Sequence, residues 1–169
     1  MKGNIVTMKT NIKRAIFLIL IILNCTLIFY FSNQVSDNSS KQSSRVVEFV
    51  SNVIPIIKNM KEPDKELLKS NVLTPIVRKM AHFLIYTSLG IWSINFIDTF
   101  KKLSNSKKIL IAIIFCMLYA ISDEIHQTYI VGRSGEIRDV LIDTLGSITG
   151  ILLTKMQFKN INKIGKETE

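Results

Sequence analysis

The chain has 169 residues, of which 47% are hydrophobic, and its mean hydropathy is +0.28. This length is typical of one domain, but the composition is too apolar for an ordinary soluble domain, so we interpret 1–169 as a single polytopic membrane domain. The formal net charge of +9 does not indicate a nucleic-acid partner, because no aromatic interleaving or nucleic-acid motif accompanies the lysines.

Apolar stretches predict an all-α fold, a four-helix transmembrane bundle with up-and-down topology, since a helix needs about 20 residues to cross a bilayer. The predicted transmembrane helices cover approximately 15–31, 78–98, 109–130 and 139–156. The first stretch is longer than the apolar core of a typical signal peptide and lacks a cleavage pattern, which favours a membrane anchor.

The segment 32–77, between the first two predicted helices, is too long for a passive loop and is predicted to be extracytoplasmic. Apolar residues recur in it at spacings of three and four, which predicts an amphipathic helix that lies along the outer interface or caps the bundle. These residues are Val46, Val47, Phe49, Val50, Val53 and Ile54.

The distribution of lysine and arginine predicts the orientation. If the N-terminus is cytoplasmic, the inner segments hold the whole formal net charge of +9, as the positive-inside tendency of short loops requires. We therefore predict a multi-pass protein of the cell membrane, with both termini in the cytoplasm and the lipid bilayer as its surroundings. The oligomeric state stays open.

Charged residues lie within the apolar stretches that are predicted to cross the membrane. The uncharged part of the third stretch ends at Ser122 after roughly 14 residues, about 21 Å of helix, so Asp123, Glu124 and His126 must lie at membrane depth. Asp143 likewise lies at membrane depth on the predicted fourth helix. A charge at the centre of a membrane helix costs roughly 2.5–3.5 kcal/mol, which is why such residues usually have a function.

Helical spacing predicts that these groups share one site at the outer ends of three helices. The aligned residues are Arg78, His82 and Tyr86 on the second helix, Asp123 and His126 on the third, and Asp139, Asp143, Gly146 and Gly150 on the fourth. Because Gly146 and Gly150 form a GxxxG pattern that favours close helix contact, the aspartates on the same face should point into the bundle.

Two functional hypotheses follow from this site, a binding site and a catalytic site. Basic groups and carboxylates together can bind a cell-wall or lipid-linked component through its phosphate or carboxylate. The predicted ligand-binding residues are Arg78, Lys79, His82, Tyr86, Gln127, Arg133, Arg138, Asp139 and Asp143. As a catalytic site, Asp123, Glu124 and His126 would provide general acid–base groups. A structural alternative is that the charges form ion pairs that fix helix register.

No cofactor and no metal are predicted. His82 and His126 with nearby carboxylates are suitable ligand types, yet neither histidine lies in an HExxH pattern or a comparable one.

The order and spacing of several motifs resemble those of the VanZ-like family over most of the chain. The motifs are Phe29-Tyr30-Phe31-Ser32-Asn33-Gln34, Arg78-Lys79-x-Ala81-His82-Phe83-x-x-Tyr86, Asp123-Glu124-Ile125-His126-Gln127 and Gly132-Arg133-Ser134-Gly135-x-Ile137-Arg138-Asp139-Val140-Leu141, followed by Leu145-Gly146 and Gly150. Val131 stands where a proline is common, and Asp143 where an asparagine is common.

The resemblance implies a small integral membrane protein of the cell envelope, in a family whose name-giving member is associated with resistance to teicoplanin-type glycopeptide antibiotics. It implies no molecular mechanism. The additional carboxylate at Asp143 changes the charge of the site relative to the pattern of the family.

Overall fold

The computed structural model describes the backbone of residues 2–34 and 36–167 and the side chains of residues 5–34 and 39–157. Within these ranges the chain is helical and has no strand. The helices are α1 (Lys2–Ser32), α2 (Ser36–Val53), α3 (Pro55–Lys58), α4 (Asp64–Leu68), α5 (Thr74–Asp98), α6 (Asn105–Gln127) and α7 (Ile137–Glu167). Lys159, Lys163 and Lys166, which the sequence assigns to the inner side, have side chains outside the described ranges.

α1 and α5 extend beyond their predicted limits. α1 includes the polar residues before 15, where neither proline nor glycine interrupts the backbone hydrogen bonds between Asn4 and Ser32. The hydroxyl of Thr10 bonds to the carbonyl of Val6 and so adapts to the helix instead of ending it. The segment 32–77 is mostly helical, because α2, α3 and α4 occupy most of it.

A π-helical turn, Lys69–Leu73, joins α4 to α5 and keeps the helix continuous. Pro75 lies in the first turn of α5 and lacks a backbone N–H, which would interrupt a regular helix at this point. The wider turn compensates for this, because the carbonyl of Lys69 accepts from the backbone N–H of Thr74 and also from its hydroxyl at 2.8 Å. The second membrane-length helix thus covers Asp64–Asp98 and is longer than predicted.

α5 lies at the centre of the fold and packs against α1, α2, α6 and α7. Its core contacts include Tyr86 and Leu89, which are fully buried against Ile28 of α1 and Cys116 of α6. Large apolar side chains on the outward faces of α1, α6 and α7 are exposed, which is typical of surfaces that contact lipid.

α7 approaches α5 closely through glycines. A Cβ atom on Gly146 would lie 2.4 Å from the carbonyl oxygen of Phe83, and one on Gly150 would lie 2.1 Å from that of Thr87. On the opposite side of the contact, a Cβ on Gly90 would lie 2.2 Å from the carbonyl oxygen of Ser147. The prediction that the GxxxG pattern forms a helix contact is confirmed, and this contact fixes the rotation of α7 about its axis.

Three helical stretches in the described chain are long and apolar enough to cross a membrane: Ile5–Ser32, Asp64–Asp98 and Asn105–Gln127. α7 is not among them. The described side chains of α7 end at Gln157. Asp143 and Lys155 lower the mean hydropathy of the helix up to that residue.

A second group of charges lies at the far end of α5, away from the predicted site. Lys155 Nζ contacts both carboxylate oxygens of Asp98, at 2.6 and 2.7 Å, and Lys108 Nζ lies 3.4 Å from Asp98 Oδ1. Arg14 bonds to Thr99 at the same level. Arg78 and Asp98 stand about 30 Å apart along the helix, which equals the hydrocarbon thickness of a bilayer.

Candidate functional site

One end of α5, α6 and α7, with the 128–136 turn between α6 and α7, encloses a polar cavity of about 150 Å³. Its lining residues are Arg78, Lys79, His82, Gln127, Gly132, Arg133, Ser134, Glu136, Asp139, Ile142 and Asp143. Residues from all three helices meet here because the α5–α7 glycine contact and the short turn bring these helix ends together.

Gln127 is buried and links the groups behind the cavity. Its amide nitrogen donates to Asp123 Oδ2 at 3.2 Å and to Glu124 Oε1 at 3.1 Å, while its oxygen accepts from Arg133 Nη1 at 2.9 Å. Asp123 Oδ2 also accepts from the hydroxyl of Ser32 at 2.8 Å. These bonds connect α1, α6 and the 128–136 turn in one network and hold Asp123 in a fixed orientation.

The 128–136 turn is attached to the helices by one backbone and one side-chain hydrogen bond. The backbone N–H of Glu136 donates to Glu124 Oε2 at 2.9 Å, and Arg133 Nη2 donates to the carbonyl of Phe31 at 3.4 Å. Gly132 has a φ of 76°, a conformation that side chains with a Cβ rarely adopt. The chain reversal therefore depends on glycine, and it places Arg133 over the cavity.

His82, Asp123 and Asp143 form a cluster in which one nitrogen or oxygen atom from each residue lies within 4.8 Å of the others. Asp143 is 1% exposed, and its nearest charged partner is His82 Nδ1, 3.8 Å from Oδ2. Neither carboxylate oxygen of Asp143 has a hydrogen-bond partner in the described part of the chain. Imidazole nitrogen and carboxylate oxygen are common ligands of divalent metals, so this cluster is the part of the site suited to a metal.

The cationic groups of the cavity differ in how they are paired. Lys79 bonds to Asp139 and lies 3.6 Å from Glu136 Oε2. Arg78 and Arg133 form no ion pair with the described residues, and the partners of Arg133 are uncharged oxygens. Partial burial, and then the neighbouring charge of Arg78, lower the pKa of Arg133. Two guanidinium groups thus line the cavity without an ion-pair partner among the described residues, in a lining that also contains the carboxylates of Glu136, Asp139 and Asp143.

Several residues predicted for the site lie outside the cavity lining. His126 stacks on Phe29 at 4.7 Å between ring centroids and faces Asn33 of α1. Arg138 is exposed at the start of α7. Asp123 and Glu124 are buried behind the lining, and Tyr86 is fully buried one turn below His82, with no hydrogen-bond partner for its hydroxyl within the described residues. Asp123 and Glu124 therefore meet at the amide of Gln127, whereas His126 points toward α1.

The sequence reasoning did not select Ser32, Glu136 or Ser134. Ser32 bonds to Asp123, and Glu136 pairs with Lys79 and bonds through its backbone to Glu124. Both Ser32 and Ser134 stand inside motifs quoted above, so the signal was present, whereas nothing in the spacing distinguishes Glu136 from an exposed loop residue.

We expect Glu124→Leu to loosen the 128–136 turn. Glu124 accepts from the Glu136 N–H and from Gln127 Nε2, and leucine can accept neither bond, at a cost of about 1–3 kcal/mol for an unpaired buried donor. Hydrogen exchange at the Glu136 amide should then accelerate by roughly 10- to 100-fold. The exposed Glu62→Leu variant is the control. Unchanged exchange in Glu124→Leu would show that this bond does not hold the turn.

A family model described as VanZ/LLP1 matches residues 17–159, which is most of the chain. The matched range contains every residue that lines the polar cavity. No curated protein and no solved structure matches the chain.

Proposed function

Because the chain belongs to the VanZ/LLP1 family, we propose that this VanZ-like membrane protein uses its polar cavity to bind a phosphate-bearing, lipid-linked component of the cell envelope. Binding of this component on the extracytoplasmic side lowers susceptibility to teicoplanin-type glycopeptides. The expectation of resistance comes from the family, and the chemistry of the ligand comes from the residues around the cavity.

The pair of guanidinium groups is the observation that carries the proposal. Arg78 and Arg133 face a polar cavity without a carboxylate partner among the described residues. Both guanidinium groups line one cavity and neither is paired with a described carboxylate, and planar guanidinium groups match the oxygens of a phosphate. A phosphate is therefore the best counterpart for this part of the cavity.

The surroundings support a ligand that is also apolar. A second cavity of about 220 Å³ shares Arg78 and His82 with the first and continues among apolar side chains of α1, α2 and α5. Its apolar wall includes Ile28, Phe31 and Ile85. A headgroup between the arginines would thus have an adjacent path for a hydrocarbon chain, which favours a lipid-linked ligand over a free phosphate.

The proposed topology has four transmembrane helices, with α7 as the fourth. Asp139 and Lys155 stand about 24 Å apart along α7, and each pairs with a charged residue of α5, Lys79 at one end and Asp98 at the other. This alignment supports α7 spanning the bilayer beside α5. The lysine-rich end is assigned to the cytoplasm, so the cavity opens on the outer side.

We assign α2 to the outer membrane interface. Its buried side, Ser43, Val47 and Ser51, packs on the protein, whereas Phe49 is 70% and Val53 63% exposed. An amphipathic helix at the level of the headgroups would bury these two side chains in lipid.

The proposal is tested by the lipids that the purified protein retains. Mass spectrometry of wild type should find a phosphate-bearing lipid that is depleted in the Asp123→Asn/Arg133→Gln variant and retained in Arg138→Gln, an exposed arginine outside the cavity. In parallel, expressing cells should tolerate more teicoplanin than a null strain. Identical susceptibility would remove the resistance part, and equal lipid retention in all variants would remove the binding site.

An enzyme acting on the same class of ligand is the second candidate, favoured by the position of Asp123 and His82 beside the arginines. Of the acid–base residues that the sequence predicts, Asp123, Glu124 and His126, only Asp123 belongs to the cluster with His82 and Asp143. Asp123→Asn and His82→Gln should then abolish turnover of a bound lipid while its binding persists. Turnover that survives in both variants would eliminate this candidate.

A further inference from the structure

We propose that His82, Asp123 and Asp143 bind a divalent transition-metal ion such as Zn²⁺ at the inner wall of the polar cavity. The three residues come from α5, α6 and α7, so the site exists only when these helices are packed together. This inference does not depend on the lipid-linked ligand, since the metal ligands and the two arginines are different side chains.

The first argument is the environment of Asp143. Its carboxylate is 1% exposed, yet neither of its oxygens has a hydrogen-bond partner among the described residues. Burying a carboxylate without hydrogen bonds or a close cation costs several kcal/mol, so such groups are normally paired or bound to metal. The imidazole of His82 lies 3.8 Å from Oδ2, longer than a hydrogen bond, so it pairs with Asp143 only as a charge when protonated and leaves both oxygens without a donor.

The second argument is the orientation of Asp123. Both of its hydrogen bonds, from Ser32 and Gln127, go to Oδ2. In the described part of the chain no hydrogen bond goes to Oδ1, which leaves one lone-pair-bearing oxygen available to a cation. Hydrogen bonds to the other oxygen of a ligating carboxylate are typical of metal sites, where they fix the ligand in position.

An independent observation comes from Tyr86, which is not part of the cluster. Its side chain is fully buried one helical turn from His82, and its hydroxyl has no hydrogen-bond partner among the described residues. An unpaired polar group at this position points to a missing neighbour, such as a metal-bound water that the hydroxyl would contact.

The dimensions of the cluster require a small adjustment on binding. Ligands about 2.1 Å from a tetrahedral Zn²⁺ stand about 3.4 Å apart, whereas the three atoms here lie within 4.8 Å of one another. Closure by about 1 Å is within the reach of side-chain rotation. Three protein ligands leave a fourth position open, as in zinc sites that bind water or a substrate oxygen. Mg²⁺ suits the site less well because it prefers oxygen ligands only.

A bound divalent ion would change the net charge around the polar cavity. Asp123 and Asp143 place two negative charges behind Arg78 and Arg133, and a divalent ion would cancel them. Binding of the ion would make the surroundings of the cavity two charge units more positive, which favours a phosphate.

The test uses purified full-length protein in detergent after treatment with a chelator, followed by equilibrium dialysis against Zn²⁺ and metal analysis. We expect about one tightly held zinc per wild-type chain, and a loss of affinity of at least about 10-fold in His82→Gln and in Asp143→Asn. Glu62→Gln, which removes an exposed negative charge outside the cavity, should change the affinity by less than about 3-fold. Equal binding by Asp143→Asn and wild type would overturn the proposal.

Thermal unfolding of wild type provides a readout that does not depend on the variants. Zn²⁺ at about 100 times its Kd should stabilise the folded state by about 2.7 kcal/mol, visible as a rise in Tm. Absence of both stoichiometric zinc and a Tm increase would overturn the site even if His82→Gln and Asp143→Asn fail to fold. The visible spectrum of Co²⁺-loaded wild type should show the intense bands of a four- or five-coordinate ion, and a six-coordinate spectrum would contradict three protein ligands.

Discussion

Replacing both Arg78 and Arg133 with glutamine should weaken the binding of a phosphate-bearing lipid by at least about 100-fold. A hydrogen bond between charged partners contributes about 1.5–3 kcal/mol, so the loss of one such bond from each guanidinium removes about 3 kcal/mol or more. Neither arginine takes part in an ion pair with the described residues, so the substitutions leave no carboxylate newly unpaired. Because Arg133 also donates to Gln127 and to the carbonyl of Phe31, the Tm of the double variant is measured beside its affinity, and lost affinity with an unchanged Tm reports on the ligand.

The measurement is a titration of the protein in nanodiscs with a polyprenyl phosphate and with phosphatidic acid, read by native mass spectrometry. Arg45→Gln/Arg138→Gln is the matched control, because it removes the same charge from two exposed positions outside the cavity. Inorganic phosphate in a third titration separates the contribution of the headgroup from that of the hydrocarbon chain. Equal weakening in the control would mean that general surface charge, and not the cavity, attracts the lipid.

The largest effect on stability is expected for Gly150→Leu. A Cβ at this position would lie 2.1 Å from the carbonyl oxygen of Thr87, so α7 must move away from α5 along their contact. Overpacking of a close interface costs about 1–3 kcal/mol, and a clash with backbone places this variant at the upper end. Because α7 carries Asp139 and Asp143, the same shift would separate the groups of the cavity.

Thermal or denaturant unfolding in detergent measures this change. Leu145→Phe is the control, since it enlarges a side chain of the same helix that is 56% exposed and should leave the free energy of unfolding nearly unchanged. A Gly150→Leu variant as stable as wild type would mean that the two helices are not in the contact described here.

The sequence predicts the helical class and the helices that meet at the site because hydrophobic periodicity and membrane length are local properties. It does not fix the rotation of each helix. Asp123 and His126 differ by about 60° around α6, and Asp123 and Gln127 by about 40°, so spacing alone cannot select which pair faces the cavity. Packing against α1 turns His126 toward Phe29 and places Gln127 at the centre of the network.

Other features of the site depend on contacts between distant segments. The bond from Ser32 to Asp123 joins residues of α1 and α6, and the bond from the Glu136 backbone to Glu124 depends on the path of the turn. Neither has a period or a short motif that predicts it. The sequence does not predict the continuity of α4 with α5, because prolines such as Pro63 and Pro75 are typical of helix boundaries, whereas the π-helical turn accommodates Pro75 within one long helix.

That long helix extends beyond the hydrocarbon layer. The 35 residues of Asp64–Asp98 measure about 52 Å, roughly 20 Å more than the hydrocarbon layer, and backbone hydrogen bonding continues through the turn at Lys69–Leu73. The 14 residues before Arg78 measure about 21 Å, which is the whole excess. With Asp98 at one boundary of the hydrocarbon layer, Arg78 and His82 would therefore stand near the other, where a helix leaves lipid for water.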